Sequence, residues 1–299
     1  AAHGPSFMRP QSIFQQGSSI YMTNPRSTQN YKPLVFLSFD EIFYLCSLLD
    51  RPPFVGLGVA GYSEEVTLEQ RAYGLICAER SLRARGIARF DQTGNIQIQN
   101  DILNAVGIAA YAEQTYVLQK ITEDSVLDQI SSYVLADQAM LLFNPSPMIY
   151  GIVILPDREQ LIAEMTAYSL PLETTESSHQ QHKFLVSKEM LERIQQVSSP
   201  MPSNLLVSQL QMEGVPVNSA HAFAETMEKN HTLTSIHVII PQSQDRTSVQ
   251  QITVVQSSKI GWLVVESSSN LAGGATVYSV SSLLRDRLAK SFAEWLLPQ

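Results

Sequence analysis

Short phrases of this chain occur twice, in the same order. Leu82-x-x-x-Gly86-Ile87 returns as Leu210-x-x-x-Gly214-Val215, and the strand-then-helix passage at Tyr150 returns at Tyr278 with the same offset. Phe36-Leu37-Ser38 is echoed by Phe184-Leu185-Val186 at a larger offset, as a single insertion within the Gly- and Pro-rich stretch 51–66 would produce. Such a duplication constrains folding strongly, because each copy offers a sheet face and amphipathic helices too small to bury alone. Joined, the copies close one core. The expected fold is therefore α+β: a quasi-two-fold, two-lobed protein with a central, mainly antiparallel sheet flanked by helices. The expected division is an N-terminal arm over residues 1–33, a first half over 34–170, a linker over 171–182 and a second half over 183–299.

Local signals fill in this plan. Ser38 followed by Glu41 is a capping-box pattern, and Ile42, Leu45, Cys46 and Leu49 then recur with helical spacing until Pro52-Pro53. Thr67 and Gln70 repeat the pattern before a helix whose apolar face is read as Leu68, Ala72, Leu75, Ile76 and Leu82, with Gly86 as its left-handed stop. Strands are expected around Tyr111–Val117, Gln138–Phe143 and Met148–Leu155, with Asn144–Pro147 turning between the last two. A helix follows through Leu161, Ile162, Met165 and Tyr168. Later strands are expected at Thr234–Ile240, Gln251–Val255, Ile260–Glu266 and Ala275–Val280. A last helix then buries Leu284, Leu288, Phe292 and Trp295.

Charge and cysteine content narrow the function. The formal net charge of -8 opposes a phosphate backbone, and no polybasic segment suits an anionic membrane. The chain carries two cysteines, Cys46 and Cys77, both within helical patterns and both read as small core positions. With no membrane-length apolar run and no leader-like start, the expectation is a soluble cytoplasmic protein.

Motifs that could carry chemistry are explained more simply by structure. Gly56-x-Gly58-x-x-Gly61 follows a helix and Pro52-Pro53 rather than a strand. Glu64 and Glu65 then stand before the next helix, where they would repel a pyrophosphate. His179-x-x-His182 has no third ligand nearby, and His231 and His237 read as surface or hydrogen-bonded histidines. The pairs Asp40/Glu41, Glu64/Glu65 and Glu123/Asp124 sit at caps and loops, where they favour helix starts. Neither a metal, nor a cofactor, nor an enzymatic constellation is expected. Arg80, Arg83, Arg85 and Arg89 form the one basic cluster, read as a solvated helical face. Helix, glycine stop and hairpin also outline a winged helix, so a transcriptional regulator is the alternative.

The phrase Phe36-Leu-Ser-Phe-Asp-Glu-Ile-Phe-Tyr-Leu-Cys-Ser-Leu-Leu, followed by Ala78-Glu-Arg-Ser-Leu-Arg-Ala-Arg-Gly-Ile87, resembles the N-terminal half of EspG-type proteins, the chaperones of type VII secretion. Ile260-Gly-Trp-Leu-Val and Val277-Tyr-Ser-Val-Ser-Ser-Leu-Leu resemble that family's close. The resemblance implies a quasi-two-fold α+β fold and a non-enzymatic role in the cytoplasm. The implied partner is the helical tip of a secreted PE–PPE-type heterodimer, bound by the C-terminal helical lobe and adjoining sheet. The sequence departs from the family in Asn144-Pro145-Ser146-Pro147, which is short where the family carries a long loop.

The expected contact region combines that implication with the methionines of the second half. Met201, Leu205, Met212 and Met227 lie on helices between Ser187 and Lys229, and methionine makes adaptable apolar contacts with partner helices. A groove there, bordered by Asn144, Pro145, Ser146 and Pro147, is expected to receive an apolar helical tip.

Overall fold

The computed structural model describes residues 32–57, 67–121, 127–146, 148–169, 181–194, 201–228, 232–243, 246–256, 261–267, 277–283 and 285–296. The first half runs β1 (Val35–Ser38), α1 (Phe39–Leu48), α2 (Leu68–Ala84), β2 (Ala88–Phe90), β3 (Ile96–Ile98), α3 (Asn100–Ala110), β4 (Gln114–Ile121), β5 (Leu127–Leu135), β6 (Gln138–Ser146), β7 (Ile149–Leu155) and α4 (Arg158–Ser169). The second runs β8 (Lys183–Ser187), α5 (Lys188–Ile194), α6 (Ser203–Met212), α7 (Val217–Glu228), β9 (Thr232–Ser243), β10 (Arg246–Gln256), β11 (Gly261–Ser267), β12 (Val277–Leu283) and α8 (Arg285–Leu296).

Among the described residues, ten strands form one sheet in the order β1-β7-β6-β5-β4-β9-β10-β11-β12-β8, with antiparallel pairing throughout. Outward from the centre, the halves run β4-β5-β6-β7-β1 and β9-β10-β11-β12-β8, the same path. The halves meet where β4 pairs with β9, Val117 opposite His237 and Leu118 opposite Ile236.

Alternation along the strands sends side chains to two faces. On the front face α1 and α3 pack over Leu37, Tyr133, Met140, Tyr150 and Ile152 in the first half. There α5, α6 and α7 pack over Val186, Trp262, Val264, Tyr278 and Val280 in the second. On the back face, α4 and the end of α8 cover the seam strands through Tyr116, Leu118, Ile236, Val238, Ile252 and Val254. Tyr116 donates its hydroxyl to the Leu296 carbonyl at 2.8 Å, tying α8 to β4. Trp262 is fully buried with Phe223 and Phe184 edge-on or tilted against it, and its indole donates to Thr226 Oγ1 at 2.9 Å.

The repeated phrases are repeated geometry. Gly86 and Gly214 both take positive φ, +73° and +86°, as left-handed stops for α2 and α6. After each stop an amide reaches back into the last turn, Ile87 to the Leu82 carbonyl and Val215 to the Leu210 carbonyl. Ser38 and Ser187 cap α1 and α5 equivalently, each accepting from the amide three residues on.

Four details differ from the sequence reading. Val35 and Leu37 pair with Ile152 and Tyr150 as Phe184 and Val186 pair with Val280 and Tyr278, so Phe184 corresponds to Val35 and not to Phe36. A slip of one residue reverses the face, and Phe36 is accordingly exposed while Phe184 is buried. The β2–β3 hairpin between α2 and α3 has no counterpart between α6 and α7, so the first half carries more than the single expected insertion. Strand β5 was not anticipated: Asp128, Gln129, Ser131 and Ser132 break its apolar alternation. Strand β4 begins at Gln114, and Tyr111 caps the end of α3 instead of entering a strand. The residues expected as the buried face of the last helix, Leu284, Leu288, Phe292 and Trp295, have side chains outside the described set.

Candidate partner-binding cleft

The two sets of front-face helices leave part of the seam open. A cleft of about 570 Å³ lies there, floored by Val117 and Gln119 of β4, Gln129 of β5, His237 and Ile239 of β9 and Val249 of β10. Phe39 and Phe43 of α1, Arg71 of α2 and the segment Pro53–Leu57 form the surrounding wall.

That wall is seated on β5 by specific bonds. Gln129 donates its amide to the Gly56 carbonyl at 2.8 Å, and Tyr133 donates its hydroxyl to the Val55 carbonyl. Phe54 stands edge-on to Tyr133 with centroids 5.1 Å apart. Gly56 takes φ +95°, and a Cβ there would sit 2.2 Å from Ser131 Oγ. Glycine at position 56 therefore serves the close approach of this segment to the sheet, not a phosphate site. Gly58, Gly61, Glu64 and Glu65 lie outside the described residues.

Among the described residues, the floor mixes Gln119, Gln129 and His237 with Val117, Ile239 and Val249 and has no acidic group. Gln119 donates to Gln129 Oε1 at 3.3 Å, Gln251 donates to Ser235 Oγ at 3.1 Å, and Ser235 Oγ lies 3.4 Å from His237 Nε2. Burial holds the His237 proton affinity below that of an ordinary imidazole. Val249 at the edge of the floor and Val55 of the wall are more than half exposed and form an apolar rim.

The residues expected at the contact site fall in two places. Asn144, Pro145 and Ser146 end β6, with a register shift between Phe143 and Ser146; Asn144 is hydrogen-bonded to the Tyr150 side chain. The chain turns at Met148, φ +63°, and Pro147 lies outside the described residues. Met201, Leu205 and Met212 belong to the approach and body of α6, and Met227 to α7. Met201 and Met227 pack half-buried against the second-half core, whereas Leu205 is exposed and Met212 is 86% exposed. Strands β6 and β10 stand four strand spacings apart, about 19 Å, so Asn144–Ser146 and the α6–α7 residues form separate surfaces.

Other candidates resolve individually. Cys46 is fully buried, and burial pushes its thiol up to about 12, an inert position. Cys77 is exposed, contrary to the core reading, on the side of α2 opposite its buried residues. Leu68, Tyr73 and Ile76 are exposed as well, and the helix buries Ala78 and Leu82. His182 is buried, with Nδ1 3.1 Å from Ser219 Oγ and its ring against Trp262. His179 and His231 lie outside the described residues. Among the described residues, no group of three or more His, Cys, Asp or Glu side chains could hold a metal, and no helix is long and apolar enough to cross a membrane.

The arginines do not form one basic face. Arg83 bonds Glu79 at 3.4 Å and lies over Phe90, Arg89 bonds Gln97, and Arg85 is tied to Glu41 and the Phe36 carbonyl. Arg85 thus departs from the solvated-face reading. Three of four arginines have intramolecular partners, which leaves the winged-helix alternative without support.

No family model and no curated protein sequence matches the chain. By fold it is similar to EspG5. This Mycobacterium tuberculosis type VII secretion system chaperone was solved in complex with a PE25–PPE41 dimer. The match has a TM-score of 0.57, covers 87% of this chain and 94% of that one, and carries 11% sequence identity. EspG5 and this chain therefore share a fold over most of their lengths.

Proposed function

We propose that this chain is a non-enzymatic, chaperone-like protein of the cytoplasm that receives the helical tip of a secreted PE–PPE-type heterodimer. The observation that carries the reading is the open, apolar-rimmed cleft on the β4–β9 seam of a fold shared with EspG5. Its floor presents the polar side chains of Gln119, Gln129 and His237, and its rim offers Val55 and Val249. A helical tip placed there would bury the rim and meet polar groups able to satisfy its terminal carbonyls. The exposed outer face of α6, Leu205 and Met212, is proposed as a second contact along the flank of the partner. Asn144–Ser146, remote from α6, is assigned no contact with the same helix.

Co-expression with the PE–PPE-type helical pair encoded in the same genome tests this reading. A stable ternary complex on size exclusion, lost in Val55→Asp and Val249→Asp, is the expected result. Absence of a complex, or a complex indifferent to both changes, overturns it.

A further inference from the structure

Helix α2 buries little of itself. Ala78 and Leu82 face the core, whereas Tyr73 is 68% and Ile76 47% exposed. Helical geometry sorts the outward residues. Glu69, Tyr73, Ile76 and Arg80 recur at i, i+4, i+7 and i+11, the spacing of a helix–helix seam, and form one straight stripe on the side away from Ala78 and Leu82. All four are exposed, as are Ala72 and Cys77 on its flanks. Arg71 belongs to the inner side of the helix and to the wall of the cleft, so stripe and cleft lie on different faces of α2.

The stripe is complementary to itself. The apolar residues Tyr73 and Ile76 share a midpoint between Gly74 and Leu75, and the oppositely charged Glu69 and Arg80 share the same midpoint. Turning the helix end for end about that point exchanges the members of each pair. An antiparallel second α2 therefore sets Tyr73 against Ile76 of the second copy and Glu69 against Arg80 of the second copy, and each contact occurs twice. That is the requirement of an isologous two-fold contact, in which residue i meets j and j meets i. A parallel pair would instead oppose Glu69 to Glu69 and Arg80 to Arg80. Among the described residues, the ion pair formed on α2 is Arg83 with Glu79, and Glu69 and Arg80 take part in none.

We infer that the outer face of α2 is a contact with a second copy of this chain, the two helices packing antiparallel about Gly74 and Leu75. Burial of Tyr73 and Ile76 from each copy supplies the driving force. The charged pairs at the two ends set direction and register, because sliding or reversing one helix separates opposite charges or juxtaposes like ones. A contact made by one helix from each copy is small, below about 1,200 Å², so the association is weak and concentration-dependent. It uses none of the residues that line the cleft.

Sedimentation equilibrium of the full-length protein from about 1 to 500 μM reads this association. Reductant is kept in the buffer so that the exposed Cys77 forms no cross-link. A reversible monomer–dimer equilibrium is expected, and it should be lost in Ile76→Glu. Glu69→Arg alone and Arg80→Glu alone should each weaken the dimer at least about tenfold, since every contact between positions 69 and 80 then joins like charges. Mixed in equal amounts, the two charge-reversed proteins should associate as a hybrid with the wild-type affinity, because opposite charges meet again at both ends. Recovery on mixing is a property of the contact between chains, and a misfolded variant would not show it. A protein that stays monomeric at the highest concentration, or a dimer that survives Ile76→Glu, would overturn the inference. So would charge-reversed proteins that associate as the wild type does when alone, or that associate no better mixed than alone.

Discussion

Arg85 holds Glu41 from the end of a neighbouring helix: one guanidinium nitrogen lies 2.9 Å from both carboxylate oxygens, and the other donates to the Phe36 carbonyl. Glu41 is almost fully buried and also accepts from the Ser38 amide and the Ser81 hydroxyl. One carboxylate thus joins the cap of α1, the end of α2 and strand β1. Across the quasi-two-fold, Glu213 occupies the C-cap of α6 as Arg85 occupies that of α2, and it bonds the Ser187 amide and hydroxyl directly at 2.8 and 2.6 Å. Both halves satisfy the same helix start with a carboxylate, supplied from different elements. Arg85→Ala should destabilise the protein by about 2 kcal/mol. That lies between an exposed pair, about 0–1, and a fully buried one, about 3–5, because the arginine is partly exposed. In denaturant unfolding, Arg85→Ala combined with Glu41→Ala should cost less than the two changes summed. Strict additivity would mean the pair contributes no coupling.

Gly151 is required by its neighbour across the β6–β7 ladder. A Cβ built on it falls 2.4 Å from Phe143 Cζ, and Phe143 packs edge-on against Phe36. Gly151→Ala should therefore destabilise by about 1–3 kcal/mol, the range for overpacking. A second change, Phe143→Leu, should recover part of that loss, since it removes the ring that occupies the space. Urea midpoints of the two single variants and the double variant check this.

How much of this was legible depends on whether a signal was local. The start of α1 was, because Ser38, Glu41, Ile42, Leu45 and Cys46 lie within three turns and the capping box fixes the phase. The correspondence of β1 with β8 across the repeat was legible in kind and off by one residue, since Val35-Phe36-Leu37 is apolar throughout and does not say which side faces in. Strand β5 was hidden because its front face seats the Pro53–Leu57 segment through Gln129 and Ser131. The front of α2 looked buried by periodicity, yet Leu68 and Ile76 are exposed. The cleft itself was invisible. Phe43, Val55, Gln129, His237 and Val249 come from five separate elements, and each alone reads as ordinary alternation or loop. His237 was read as a surface or hydrogen-bonded histidine; its place on a cleft floor required the β4–β9 pairing.

Glu164 gives a stability prediction with a definite sign. It is buried on α4, where Gln160 donates to it at 3.2 Å, and burial raises its pKa. The folded state thus binds this proton more tightly than the unfolded chain. Its contribution is most favourable below the unfolded carboxylate range and is lost as pH rises through the folded titration. Glu164→Gln keeps the acceptor for Gln160 and removes the charge. It should stabilise at pH 8 by on the order of 0.5 kcal/mol, with the gain vanishing near pH 4. Thermal unfolding of both proteins at the two pH values measures it, and a gain that grows on acidification would contradict the assignment.

The outer face of α6 separates binding from folding. Leu206, Val207 and Leu210 bury its inner side, while Leu205 and Met212, seven residues apart and so on one side of the helix, face outward. An aspartate at either outward position removes no core contact, so melting temperature should stay within about 2 °C, as for ordinary surface changes. Met201→Asp is a different experiment, because Met201 packs against the second-half core and its loss should lower stability. If the partner's flank lies along α6, Leu205→Asp and Met212→Asp together should weaken the complex at least about tenfold, the effect of losing a small apolar contact and desolvating a charge. Titration calorimetry against the helical heterodimer reads this directly. Unchanged affinity in the double variant, alongside a loss in Val249→Asp, would confine the contact to the cleft and remove α6 from the interface.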